Sequence, residues 1–225
     1  MSEDLNNRHN NFVYEGFDSL MREIQMSLYR VARMAESKDE ALFDEINKEA
    51  DIALRLLDSY QLASKVSCGQ LSLEINPTGV GSLVHEVAYE IKSLSGSDIE
   101  MKIDHIGPVS ANSHLLKDLI FAIGIFMAKS SRSSLKFWVY KADSQNTGLA
   151  VTSKDFDISN IQLKDILTDQ KRIMSLPKIS TQNNVMLILA NMVAQTMNTE
   201  LSVKKIGKSK GFTVLLPKSQ QMSLV

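Results

Sequence analysis

Between residues 12 and 35 the apolar side chains return every three or four positions, at Phe17, Leu20, Met21, Ile24, Leu28 and Val31. No proline interrupts the run, and Gly16 near its start is the only glycine. That is the period of a helix with one apolar stripe. Ser37 then precedes Glu40 at the spacing of a capping box, in which the serine accepts the N–H at 40 and the glutamate reaches back. A second helix is predicted from there to about Lys65, with Leu42, Ile46, Ala50, Ala53, Leu57 and Tyr60 on one stripe. Each helix is roughly 36–42 Å long at 1.5 Å per residue. Two long amphipathic helices joined by a short turn make an antiparallel pair. One pair cannot bury both stripes; a second copy completing a four-helix bundle can, so a homodimer is expected. The other arrangement packs the stripes on the chain's own second domain.

After position 66 the pattern changes. Residues 70–75 (QLSLEI) alternate as a strand, and Pro77 and Gly79 break it. Residues 80–93 read as a helix, and Ile99, Met101 and Ile103 alternate again. Residues 114–129 form an apolar helix, 135–140 and 149–152 strands, 185–197 another helix, and 201–205 and 212–216 a final pair of strands. Strands interleaved with helices in this way imply an α/β sandwich with helices on one face of a sheet. The chain divides into a helical hairpin over 1–66 and an α/β domain over 67–225. Gly69 and its polar neighbours would permit a hinge between them.

Composition narrows the functional classes. The chain has 225 residues, enough for one large domain or two small ones, with 44% apolar and 23% charged residues. The net charge of −1, from 25 basic and 26 acidic residues, argues against a nucleic-acid or membrane-surface binder. Lys204, Lys205, Lys208 and Lys210 flank a predicted hairpin at 206–211, where solvated lysines are routine. No apolar run approaches the roughly 20 residues needed to span a bilayer, and the polar start MSEDLNNRHNN does not read as a signal peptide. The single cysteine, Cys68, excludes an internal disulfide and a cysteine-based zinc cluster. No two histidines have metal-ligand spacing, so neither metal nor cofactor is expected. A cytoplasmic protein is the simplest reading. A hydrolase has no support, because no G-x-S-x-G elbow and no P-loop occurs.

The run EADIALRLLDSYQLASKVSCGQLSLEINPTGVGSLVHEV resembles the second dimerisation helix and first catalytic-domain strand of sensor histidine kinases, with their cadence "LLDLSRLEAG" then "LxLxxxPxxLxxLxxEV". AQTMNTELSV is similar to that family's "AxxMGGxIxV", and GFTVLLP to its closing "GTxFxxxLP". The resemblance covers about 17–217 and rests on the order and spacing of these stretches. It implies an α+β protein: a helical hairpin forming a dimeric four-helix bundle, then a degenerate histidine-kinase-type α/β sandwich.

The family's chemistry is missing from the matching positions. Laying "LLxNLLxNAIK" on 119–129 puts Ala122 and Phe126 where the magnesium-binding asparagines belong, with Lys129 at the final lysine. Alanine offers no metal ligand, and phenylalanine fills space the triphosphate needs. The adenine-binding "DxGxG" falls on Ser153, Lys154, Asp155, Phe156 and Asp157, without glycine; a shift of one or two residues would put Asp155 at the acid position. The phosphate-covering "GxGLGL" reads Thr181 through Val185 to Met186, again without glycine. Arg22-Glu23-Ile24 stands where His-Glu-Ile would carry the phosphoacceptor, and a guanidinium cannot carry phosphate as imidazole does. Arg22 either imitates part of a charged surface or is simply solvated. His9 precedes the predicted helix, while His85, His105 and His114 fall in the second domain.

The resemblance extends to dimeric histidine phosphotransferases, which look like kinases with a nucleotide-free second domain. What survives in this chain is a surface for docking a receiver domain, for which Arg22, Gln25, Met26 and Tyr29 are the candidates; the other reading makes them ordinary bundle surface. The functional expectation is a non-catalytic member of two-component signalling, a homodimer that binds a response-regulator receiver domain or a histidine kinase as scaffold or adaptor. The alternatives are a phosphotransferase of a phosphorelay, or a small-molecule sensor whose degenerate pocket, refilled with Phe126 and Phe156, takes an apolar ligand.

Overall fold

The computed structural model describes residues 40–67, 72–158 and 181–219. The predicted 12–35 helix, the Ser37 cap, His9, Glu23 beside the phosphoacceptor-equivalent Arg22, and the docking candidates Arg22, Gln25, Met26 and Tyr29 lie outside these residues, as do Cys68 and Gly69 at the expected hinge.

The described elements are α1 (Glu40–Ser67), β1 (Asn76–Thr78), α2 (Val80–Ser95), β2 (Ile99–Ile103), β3 (Val109–Ala111), α3 (Ser113–Ser130), β4 (Leu135–Lys141), β5 (Asn146–Ser153), α4 (Thr181–Thr196), β6 (Ser202–Ile206) and β7 (Ser209–Pro217). A five-stranded sheet runs in the order β2-β4-β5-β7-β6, with β2 parallel to β4 and the remaining pairs antiparallel. Helices α2, α3 and α4 form the second layer of a mixed α+β sandwich.

Alternation decides the inner face. Along β4 the side chains of Leu135, Phe137 and Val139 are buried, while Lys136, Trp138 and Tyr140 between them are half-exposed. Helix α3 sits in the middle of the helical layer and is buried all round from Leu119 to Met127, as its unbroken apolar run requires. Asn112 caps it, accepting the N–H of Leu115 at 3.1 Å. At Gly124 a Cβ would lie 2.2 Å from Ile91 Cδ1, so the glycine is what lets α2 and α3 approach this closely. Helix α2 ends at Gly96, whose φ of 68° and N–H to the Lys92 carbonyl close the last turn.

Two expectations need correction. Residues 72–75 are not a strand; the pairing begins at Asn76 and includes Pro77, opposite Ser110 of β3. A two-stranded ribbon consists of edges only, where a residue without an N–H is tolerated. Helix α4 starts at Thr181, four residues before its apolar pattern does.

Helix α1 lies across α4 and α3. Ile52 and Tyr60 enter the core of the α/β layer, and Leu57 and Leu62 pack against it. Part of the predicted stripe is thus buried on the chain's own domain. Phe43 and Leu54, on another side of the helix, stay largely exposed.

Candidate functional site

Helix α3 brings Ala122 and Phe126 to the sheet-facing interior, where both are fully buried. Strand β7 contributes Phe212, and the residues after β5 contribute Phe156. The three rings form one cluster. Phe126 meets Phe212 edge-on with centroids 5.5 Å apart, and meets Phe156 edge-on at 6.4 Å; Phe156 and Phe212 are 5.2 Å apart. Edge-to-face contact at these distances is the favoured aromatic arrangement, so the cluster is packed core. Ala122, one turn earlier, presents only a methyl group. No donor or metal ligand comes from either position.

Ser153 ends β5 and is also buried. Its hydroxyl donates to Asp155 Oδ1 at 2.8 Å. Asp155 is the centre of a second small structure. Its carboxylate accepts from the Ser131 hydroxyl, from the Arg132 N–H at 2.7 Å and from the Ser133 N–H at 3.3 Å. Burial pushes this carboxyl up, but the bonds from Ser131, the Arg132 N–H and Ser153 outweigh it and hold it well below the usual carboxylate range. Asp155 is therefore a clamp joining the end of β5 to the turn after α3, with its acceptor capacity directed into the chain. Two residues on, Asp157 accepts from Lys210 Nζ of β7 at 3.3 Å.

Residues 181–186, where the resemblance expects the glycine-rich loop, form the start of α4, and the side chain of Val185 is outside the described residues. Among the sequence candidates, Phe126, Phe156 and Ser153 are thus brought to one place, with Ala122 beside them on α3. Phe212 and Ser131 were not singled out in the sequence. The inward phase of GFTVLLP marks Phe212; the serines flanking Arg132, just after the apolar helix, are the only hint of the clamp.

A separate polar node links α1 to α2 and α3. Arg55 pairs with Glu90 of α2 and, through Nε at 3.7 Å, with Asp118 of α3, and its guanidinium lies 3.7 Å from the centroid of the Phe121 ring. Burial pushes the Asp118 carboxyl up, opposed by Ser59, Arg55, His114 and Lys117. These residues edge a cleft of about 410 Å³. His114 is exposed in the first turn of α3, His85 is exposed on α2, and His105 lies between β2 and β3. No described helix is long and apolar enough to cross a membrane.

No protein-family model matches the chain, and no curated protein matches it in sequence. Solved structures do. The histidine kinase AdeS of Acinetobacter baumannii is similar over 89% of this chain and 97% of its own, at 16% identity and a TM-score of 0.61. The mycobacterial sensor histidine kinase MprB is similar over 64% of this chain and 98% of its own, at 13% identity and a TM-score of 0.54. Full-length ShkA, solved with AMPPNP, is similar over 96% of this chain and 46% of its own, at 12% identity and a TM-score of 0.54. At these identities the likeness is one of fold, and the five-stranded sheet with its helices is consistent with the ATPase-type α/β sandwich of histidine kinases.

Proposed function

We propose that this chain is a non-catalytic, histidine-kinase-like protein of two-component signalling. In this reading it binds a response-regulator receiver domain or a histidine kinase and acts as scaffold or adaptor. The observation that supports the reading is the packed Phe126–Phe156–Phe212 cluster; in this reading its rings stand where a nucleotide-binding relative needs asparagine ligands and open space. The Asp155 clamp supports it, because the carboxylate that a small shift of register would bring to the adenine position already accepts four bonds from its own chain. A homodimer built through residues 12–65, a cytoplasmic setting, and a docking patch of Arg22, Gln25, Met26 and Tyr29 belong to the same proposal.

Labelled phosphate tests it. The chain is incubated with Mg²⁺ and labelled ATP, and separately with a panel of labelled phospho-receiver domains, while complex formation is followed by light scattering. The reading expects no label on the chain and a defined complex with one receiver or kinase. Label from ATP would establish a working kinase. Label drawn from a receiver and lost in His9→Ala would establish a phosphotransferase. Absence of any complex across receivers and kinases would remove the scaffold role.

A further inference from the structure

Helix α1 rests mainly on α4 and touches α3 at few places, and a cleft of about 410 Å³ opens between α1 and the first turns of α3. Arg55, Asp58 and Leu62 line it from α1, and His114, Lys117 and Asp118 line it from α3. The spacing within each set is helical, so each helix gives one face to the cleft. Glu86 and Glu90 of α2 hold the two long cations in place, by pairing with Lys117 and Arg55. Two groups are nevertheless short of partners. Arg55 uses Nη1 on Glu90 and sets Nε 3.7 Å from Asp118, which leaves Nη2 buried with no hydrogen-bond partner among the described residues. Asp118 has only 16% of its side chain exposed, and its 3.7 Å approach to Arg55 is longer than a hydrogen bond. Burial, the largest influence on this carboxyl, pushes it up. A buried charged donor and a buried carboxyl left short side by side cost free energy that a bound molecule recovers.

We propose that this cleft binds a small zwitterion with the size and chemistry of a free α-amino acid, held between α1 and α3. Its carboxylate completes Arg55 Nη2 and faces Lys117 and His114. Its ammonium group faces Asp118 and Asp58, and its side chain lies along Leu62. The mixed lining decides the class. A plain anion meets the two carboxylates and a plain cation meets Arg55 and Lys117, so only a molecule bearing both charges finds complementary partners throughout. The volume lies toward the small end of the roughly 300–1,000 Å³ of ligand sites, which suits a metabolite of this size. Because the ligand touches both helices, its binding ties α1 to the α/β layer. The inference goes beyond the signalling reading and uses other residues, so either can fail without the other.

The full chain is titrated calorimetrically with each common L-amino acid. The tightest binder is then compared with the matching acid that lacks the amino group and the matching amine that lacks the carboxylate. The expected result is a Kd below about 1 mM for at least one amino acid, with both half-ligands at least about tenfold weaker. Asp118→Asn keeps the shape of the side chain and should weaken binding at least about tenfold. Asp58→Asn changes an exposed residue, leaves folding intact and should weaken binding in the same direction. Hydrogen exchange in the unaltered protein at saturating ligand should slow at 55–62 and 113–118. No binding by any amino acid would overturn the proposal and leave the cleft to solvent. A half-ligand that matches the whole one would overturn it too, as would affinity unchanged in both variants or protection confined to other segments.

Discussion

The guanidinium of Arg55 lies over the Phe121 ring, 3.7 Å from its centroid, while pairing with Glu90 and Asp118. A planar cation held between an aromatic face and two carboxylates, with 17% of its side chain exposed, joins α1 to both α2 and α3. Arg55→Met keeps much of the stem and removes the cation that Glu90 and Asp118 share. The expected loss is about 2 kcal/mol, below the 3–5 kcal/mol of a fully buried pair because Glu90 still reaches water. A double-mutant cycle with Asp118→Asn, read by urea unfolding, should give a coupling of about 1 kcal/mol. Additive effects would mean that Arg55 contributes through packing alone.

Asp118 sets a pH trend. Its carboxyl is raised by burial, so its contribution is fullest below the ordinary carboxylate pKa of about 3.9 and is lost as pH rises through the raised value. Asp118→Asn resembles the protonated form. Its melting temperature relative to the unaltered protein should therefore improve from about pH 4 upward. A relative decline over the same range would show that Arg55, not burial, governs this carboxyl.

Asp155 should behave in the opposite sense. Its carboxyl is held below the usual range, so its stabilisation is present above about pH 3.9 and is lost as pH falls through the depressed value. The advantage of the unaltered chain over Asp155→Asn should be constant near neutrality and shrink in acid below about pH 4. An advantage independent of pH down to the acid limit of folding would contradict the clamp.

Removing a ring from the aromatic cluster should be costly. Phe156→Ala leaves a cavity against Phe126 and Phe212, with an expected loss of about 3 kcal/mol, at the lower end for phenylalanine because its neighbours Asp155 and Asp157 are exposed and the segment can settle into the space. Urea midpoints measure it. A loss below about 1 kcal/mol would mean that Phe156 is not packed as described.

Much of the fold was legible because single periods dominate it. The inward set Leu135, Phe137 and Val139 follows from alternation alone, and the burial of α3 from its unbroken apolar run. The three-residue strands β1 and β3 were not legible, since three residues carry no period and Pro77 reads as a breaker. That Ala122 and Phe126 enter the core could be read from the unbroken apolar run of α3. The partner Phe212 could not, because it reaches the site through sheet pairing with β5. Arg55 gave no signal either: an arginine in a helix reads as solvated, and only its reach from α1 to carboxylates on α2 and α3 turns it into a half-buried hub.

The central claim is that packed aromatic core occupies the nucleotide position, and calorimetric titration of the chain with Mg²⁺-ATP tests it most directly. Light scattering on the same sample fixes the mass of the species titrated. The account expects no heat of binding at millimolar nucleotide, with Phe126, Phe156 and Phe212 left in contact. Saturable binding at micromolar ATP would contradict it, since the triphosphate and the cluster cannot occupy one space.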